Sequence, residues 1–523
     1  MKRRDFLEKS LPAGLLLPGL VGGLSFKAIG AESPLSPLFL PTTETDHVLV
    51  IIQLNGGNDG LNTVIPLQNF SNYVNARPNI YVPENKVLKL GTAGKAGLHP
   101  ALSGLHRLYN EGMLQVVQSV GYPTPNFSHF RATDIWMSAS ESNQVVNSGW
   151  AGRYLNYEYP NFPNGYPNTS MRDPLAIQIG STTSLTLQGP AVSMGMSISN
   201  PNSFYNLVNG VQDPAPATPA GKELTYIRTV SQQTQQYATV IKDAATAVPQ
   251  QVTYPTGNSL ADQLKIVARL IKGGLRTRVY MVNFGGFDTH AAQVNATDTA
   301  TGTHANLLQR VSEAITAFQD DLKFLGVDER VVGMTFSEFG RRIKSNASTG
   351  TDHGAAAPLF VFGKNVTGGV TGDTPSFGPS VNVNDNLPFQ YDFRSIYATL
   401  LNNWLCVDSR DLNQIMLKNF QTLPLVNAGA CKKAVNLSGE NLISNYPNPF
   451  QGNTVITFKT NGGHTLVQIM DTTGRVLVNL TDREYPAGTY TLNFSGGTLP
   501  AGVYYARLQN LSVQQVRTMV KVK

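Results

Sequence analysis

Cysteine is nearly absent: the 523 residues carry only Cys406 and Cys431, and no CxxC pair occurs. That rules out a dithiol redox motif and attached haem, and no dinucleotide-binding fingerprint is present either, so a cofactor-loaded oxidoreductase is disfavoured. The two cysteines can pair as one disulfide closing a modest loop, or stand as two buried thiols; neither reading makes them catalytic. Charge is also scarce, at 14% of residues. The net +6 is spread along the chain with no long Lys/Arg run and no interleaving of arginine with aromatics, which argues against nucleic-acid binding. Beyond the first thirty or so residues, no run reaches the roughly 18 apolar residues that a bilayer-spanning helix needs. In place of charge there are 48 Gly and 31 Pro with frequent Asn, Thr and Ser, a composition that fits an exported protein.

The length exceeds what one core usually serves, so two folded units, or one large α/β unit with an appendage, are expected. Residues 1–31 read as an export signal: the basic Lys2-Arg3-Arg4, an apolar Gly-rich run from Leu11 to Leu24, then small residues around Ala28 to Ala31. Arg3-Arg4-Asp5-Phe6-Leu7 resembles the twin-arginine motif, which an export machinery for folded proteins reads; an ordinary secretory signal or membrane anchor is the alternative. Residues 32–45 are a spacer.

The chain is organised around Arg330 to Gly363, where two short apolar runs, Val331 to Phe336 and Pro358 to Phe362, flank a polar loop carrying Glu338, Asp352 and His353. Both runs suit strands buried on both faces of a parallel sheet. In such sheets the ligand crevice lies beyond the carboxyl ends of the strands. His47 to Leu54 reads as a first buried strand running into Asn55-Gly56-Gly57-Asn58-Asp59-Gly60, and Leu114 to Val120 as another. Two prolines forbid helix up to Asn126, so Ser128 can cap a helix carrying Ile135-Trp136. Ser259 to Leu275 has helical spacing, and the stretch near Leu224 to Ala244 is more weakly helical. Arg278 to Phe284 reads as a strand, and His304 to Leu325 carries one apolar stripe. Strand, helix and strand from Arg278 to Phe336 make a βαβ unit, whose two strands leave the sheet on the same edge. A last core helix lies near Phe393 to Trp404. The domain so outlined runs over 46–427, a linker over 428–444, and 445–523 forms a separate all-β module, read as a small sandwich.

The shared rim thus collects Asn55 and Asp59 after the first strand, Ser128 with His129 at a helix start, Asp288 and His290, Glu338 with Arg341, and Asp352 with His353. Carboxylates and imidazoles together suit Zn²⁺ or Mn²⁺, whereas an all-oxygen set suits Ca²⁺ or Mg²⁺. A metal there polarises a phosphoryl or sulfuryl oxygen and lowers the pKa of a bound water or serine hydroxyl. Each element has a plainer reading. Asp-x-His in a Gly loop is also a turn bonded to its own backbone, the Gly-rich loop a phosphate cradle or simple turn, and Ser128 only a cap. His99 and His106 flank or lie on a helix and read as structural.

The series Gln53-Leu54-Asn55-Gly56-Gly57-Asn58-Asp59-Gly60-Leu61-Asn62, Leu98-His99-Pro100-Ala101-Leu102, Gly121-Tyr122-Pro123, Ser128-His129-Phe130, Gly149-Trp150, Gly152-Arg153, Phe287-Asp288-Thr289-His290, Ser337-Glu338-Phe339-Gly340-Arg341, Asp352-His353-Gly354 and Asp392-Phe393-Arg394 resembles the bacterial family called domain of unknown function 1501. The resemblance covers about Asp46 to Leu425. It implies the fold of the alkaline phosphatase and sulfatase superfamily: an α/β domain with a mostly parallel sheet flanked by helices, one or two divalent metals, and a Ser, Thr or modified Cys nucleophile. Carried over by motif, Asp288, His290 and His353 look like ligands of one metal. Glu338 stands where the other metal's Asp-His pair sits, Asn55 or Asp59 where the first-strand aspartate sits, and Ser128 where the nucleophile caps its helix. Phe339 in place of a histidine, and Asn rather than Asp at the end of strand one, are departures that fall on the second metal.

The tail resembles the C-terminal sorting domain of the type IX secretion system, through Asn445-Tyr446-Pro447-Asn448-Pro449-Phe450, Asp471-Thr472-Thr473-Gly474-Arg475, Leu499-Pro500-Ala501-Gly502-Val503-Tyr504-Tyr505 and Val520-Lys521-Val522-Lys523. That resemblance implies the type IX machinery as a partner, and passage through the outer membrane to release or the cell surface. The combined expectation is an exported hydrolase of phosphate or sulfate esters that depends on a divalent metal. The rival is a non-catalytic surface protein that binds glycan or another envelope component.

Overall fold

The computed structural model describes residues 45–168, 171–199, 237–409, 411–427, 431, 443–472, 475–510 and 514–522. The expected export signal, the spacer up to residue 44, most of the linker and the first part of the weakly helical stretch near Leu224 lie outside the described residues; 237–246 are helical. The described residues form two compact units, one over Asp46–Cys431 and the other holding the C-terminal residues from 443.

The first unit is built on a nine-stranded sheet. Its strands are β1 (Val48–Asn55), β2 (Leu114–Gly121), β3 (Ala176–Ile179), β4 (Gly195–Ile198), β5 (Val279–Gly285), β6 (Val331–Phe336), β7 (Ala357–Phe362), β8 (Gly369–Thr371) and β9 (Tyr391–Asp392). The order is β8-β2-β7-β6-β1-β5-β3-β4, with β9 also beside β2. Two-residue alternation along β1 assigns its side chains to two cores. Val48, Val50, Ile52 and Leu54 join the core with the helices Ser259–Lys272 and Thr303–Phe324. Leu49 and Ile51 join the core that holds Trp136, Trp150 and Trp404. With both faces covered, β1 reads as a continuous apolar run, as buried parallel strands do.

Register decides what meets at the rim. β1 pairs in parallel with both β5 and β6; Asn55 lies opposite Gly285, and Gln53 opposite Phe336. The residues that follow these three strands therefore emerge side by side on one edge. The helix Thr303–Phe324 crosses from β5 to β6 as the βαβ reading expects.

One expectation is corrected. Pro358 to Phe362 does form a buried strand, but β7 runs antiparallel to both neighbours, β6 and β2. The reason lies in the connection: no helix crosses back between β6 and β7, and the loop instead folds on itself through a short antiparallel ladder, Gly340–Arg341 against His353–Gly354. A strand that returns without a crossover lies antiparallel. The outcome favours the site, because the carboxyl end of β6 and the amino end of β7 share the rim, with Arg341 opposite His353.

The C-terminal unit is all-β and antiparallel. Five strands, Ile443–Tyr446, Asn453–Met470, Val476–Ser495, Gly502–Asn510 and Gln514–Lys521, form one sheet around a core that includes Phe450, Phe458, Val467, Leu508 and Met519. The Phe450 amide donates to the Val520 carbonyl and the Val522 amide to the Phe450 carbonyl, which ties the segment after the first strand to the last. No helix among the described residues is long and apolar enough to cross a membrane.

Cys406 and Cys431, left open between two readings above, form a disulfide across a separation of 25 residues. Beside it, His47 stacks on Trp404 at 3.8 Å between ring centroids, and Trp404 Nε1 donates to the Val48 carbonyl at the start of β1. Loop-closure entropy for a ring of this size is on the order of 3 kcal/mol. The paired variant Cys406→Ala/Cys431→Ala is expected to lose about that much, read as a lower denaturant midpoint for the first unit with an unchanged slope.

Candidate metal centre

Beyond β1 the chain turns through Gly56 (φ +120°) and Gly57 (φ +74°). A Cβ on Gly56 would stand 2.4 Å from the Asp288 amide nitrogen, and one on Gly57 would stand 2.3 Å from the Phe339 ring. Glycine is therefore required at both positions for the loops after β1, β5 and β6 to close on one another. Arg341, wholly buried, fixes that closure. Its Nε donates to the Gly57 carbonyl at 2.6 Å and its Nη1 to Thr351 at 2.7 Å; its Nη2 reaches the carbonyls of Gly56 and Phe287 and Asp288 Oδ1, the last at 2.7 Å.

Three imidazoles surround Asp288. His290 Nε2 lies 3.1 Å and His353 Nε2 3.2 Å from Asp288 Oδ1, and His129 Nε2 lies 3.4 Å from Asp288 Oδ2. On each ring the other nitrogen is held from outside the cluster: His290 Nδ1 by Asp352 at 3.2 Å, His353 Nδ1 by the Phe127 carbonyl at 2.8 Å, and His129 Nδ1 by Glu338 at 2.8 Å. A carbonyl only accepts, so Nδ1 of His353 carries the proton and its Nε2 is left to face inward. His290 Nε2 faces it at 2.9 Å. Two such nitrogens pointed at each other over a carboxylate need a proton or a cation between them. Imidazoles held at Nδ1 by carboxylate or carbonyl, with Nε2 converging, are the arrangement in which ligands are oriented for a metal. His129, Asp288 and His353 each offer an atom within 4.8 Å of the other two.

The electrostatics agree. Burial raises the Asp288 pKa, but the hydrogen bonds from Arg341 and His353 and the nearby positive charge outweigh it and bring the group down to about 2. Burial lowers the His353 pKa against the opposing pull of the Phe127 carbonyl and Asp288, which favours the neutral ring a metal needs.

Residues 110–416 match the family model described as "Protein of unknown function (DUF1501)". The chain belongs to the DUF1501 family. Residues 444–522 match the secretion system C-terminal sorting domain, which makes the type IX secretion machinery a partner and indicates export to the cell surface or secretion. No curated protein matches the chain. Among solved structures it is similar to a sulfatase from a Pseudoalteromonas species, at 10% identity over 86% of this chain and 84% of that one, with a TM-score of 0.30. It is similar also to a protein in the alkaline phosphatase superfamily from Vibrio parahaemolyticus (9%, 92% and 84%, TM-score 0.29) and to the alkaline phosphatase of the Antarctic bacterium TAB5 (11%, 62% and 93%, TM-score 0.25). Scores this low transfer neither ligand nor reaction.

Of the expected site residues, the DUF1501 unit gathers Asp288, His290 and His353, with His129 beside them. Asp352 stands behind His290, held also by Asn346 at 3.2 Å. Asn55 closes β1, its carbonyl accepting from the Phe287 amide. Arg341 braces the loops from within. Ser128 occupies the position before the helix His129–Ser138, but its side chain makes no capping bond, contrary to the cap reading, and the residue is exposed. Glu338, 2% exposed, touches the cluster through His129; its Oε1 also accepts from the Gly56 amide at 2.9 Å.

Asp59 departs from expectation. It is fully buried, paired with Arg77 at 2.7 Å and accepting from Gln293 at 2.6 Å, so it braces the loop from below and is not available as a second-metal ligand. Arg77, Gln293 and Ser337, whose Oγ donates to the Leu54 carbonyl and accepts from the Asn58 amide, are supports that sequence reading missed. Ser337 stood within a quoted motif; Arg77 lies in none. His99 is a structural cap, accepting from the Ala101 amide, and burial holds its pKa down to about 3; His304, bonded to Asn58, is held at about 4.

Burial alone would raise the Asp59 pKa, but Arg77, His304 and Gln293 lower it below the ordinary value of about 3.9. The contribution of the pair is therefore complete above that value and is lost as pH falls through the lowered folded pKa. Asp59→Asn is expected to destabilise the unit by roughly 3–5 kcal/mol at neutral pH, since a buried guanidinium is left unpaired. Urea unfolding should show the variant and the parent converging as the pH falls through the lowered folded pKa of Asp59.

Proposed function

We propose that the DUF1501 unit is a metal-dependent hydrolase of phosphate or sulfate esters, exported through the twin-arginine machinery and then delivered by its sorting domain. The observation that carries the reading is the convergence of imidazole Nε2 atoms on Asp288 while every Nδ1 is engaged outside. Asp288, His290 and His353 would hold the ion, and three-nitrogen or two-nitrogen sets with one carboxylate suit Zn²⁺ or Mn²⁺. A bound ion supplies Lewis-acid polarisation of an ester oxygen and stabilises the charge that develops on it.

The chain's own residues do the rest. Arg341 keeps Asp288 anionic and fixed in place. Asp352 and the Phe127 carbonyl set the planes of His290 and His353. Ser128 Oγ, free of a capping bond at the start of a ten-residue helix, is the nucleophile in this reading. The helix N-terminus next to it favours negative charge.

Metal analysis of the purified full chain is expected to find stoichiometric Zn or Mn in the parent and none in His353→Ala. Aryl phosphate or aryl sulfate turnover should fall to background in Ser128→Ala with metal retained. Metal without turnover on either ester would move the chain to the rival class of glycan or envelope binders.

A further inference from the structure

Three features narrow what the centre can hold. First, Glu338 is engaged within the protein through Oε1, which accepts from both His129 Nδ1 and the Gly56 amide; Ser337 Oγ lies 3.3 Å from Oε2 while giving its hydrogen to the Leu54 carbonyl. Two donors on one carboxylate oxygen occupy its lone-pair directions, and the residue is buried. Second, two neighbouring positions expected to serve a second metal supply no ligand atom to the centre. The Phe339 ring packs at 4.9 Å from His129 and 4.4 Å from His353, and Asp59 is held by Arg77. Third, His129 has the same construction as the other two imidazoles: Nδ1 is held by an acceptor and Nε2 is directed at Asp288, but from the side of Oδ2. Its ring stands edge-on to His353 at 4.5 Å.

We propose that His129 binds the same cation as Asp288, His290 and His353, that the centre holds one metal ion, and that Glu338 positions His129 rather than holding a second ion. This rests on the metal reading above and deepens it. Asp288 is the shared carboxylate, with one oxygen toward His290 and His353 and the other toward His129. Together these residues would offer the ion four protein donors, three imidazole nitrogens and one carboxylate, a set that suits Zn²⁺ or Mn²⁺.

The test is equilibrium binding to the full chain, stripped by chelator and titrated separately with Zn²⁺ and Mn²⁺, with far-UV circular dichroism confirming that each variant is folded. The parent should take up one equivalent. His129→Ala should bind at least tenfold more weakly, and so should His129→Gln, which keeps a hydrogen bond to Glu338 but lacks the imidazole. Glu338→Gln should still bind one equivalent, some 10- to 100-fold more weakly, the loss typical of removing an outer partner of a ligand histidine. Two equivalents in the parent, of which Glu338→Gln loses one, would overturn the proposal, as would parental affinity in both His129 variants. Either result leaves the metal reading intact, whereas a parent that binds no metal removes both.

Discussion

Arg341 sits behind the strand ends with no exposed surface, and its guanidinium joins the backbone after β1, the backbone after β5, the loop before β7 and the carboxylate of Asp288. Four carbonyls and one carboxylate take its hydrogen bonds, so among the described residues Asp288 is the only counter-charge the cation touches. A buried guanidinium without one is severely destabilising, and a carboxylate so held stays ionised and keeps its orientation. The imidazoles then arrange themselves around a negative charge whose position the fold has already fixed. Remove the cation, and the three loops have no common partner.

Support is graded with depth. At the bottom the Asp59–Arg77 pair, with Asn62, Tyr73 and Gln293 around it, closes the turn after β1. Above it Ser337 and Asn58 knit the ends of β1 and β6 together. Next come Glu338, Asp352 and the Phe127 carbonyl, which orient the rings, and outermost the half-exposed cluster itself. His99 and His304, whose pKa values burial lowers, belong to the lower layers beside the buried ion pair. Each layer is therefore more buried than the one above it, and a supporting shell of this kind is what holds donor atoms in place at an open surface.

Much of this was legible in the sequence where a physical rule links a residue to a place. The apolar runs of β1, β2, β5 and β6 have few alternatives, and a helix with one apolar stripe between two strands enforces parallel pairing. Same-edge exit of Asp288 and Glu338 follows from that. The direction of β7 did not follow, because a five- or six-residue buried run looks the same in either direction and only the folded connection decides. Asp59 was misplaced for a related reason. In a glycine-rich turn a carboxylate one or two residues further along can point to the opposite side, and the partner that draws it inward, Arg77, is remote from every motif. His129 was visible only as a neighbour of Ser128; its place opposite Asp288 Oδ2 depends on how the helix His129–Ser138 is set against the sheet, which no spacing encodes.

The Cys406–Cys431 bond also has a topological meaning. Cys431 is the last residue of the first unit, and the bond pins it to Cys406, two residues from Trp404, whose side chain is bonded to the first strand of the sheet. The far end of the unit is thereby tied back to its beginning by a covalent link and one hydrogen bond, so it cannot fray without reducing the disulfide.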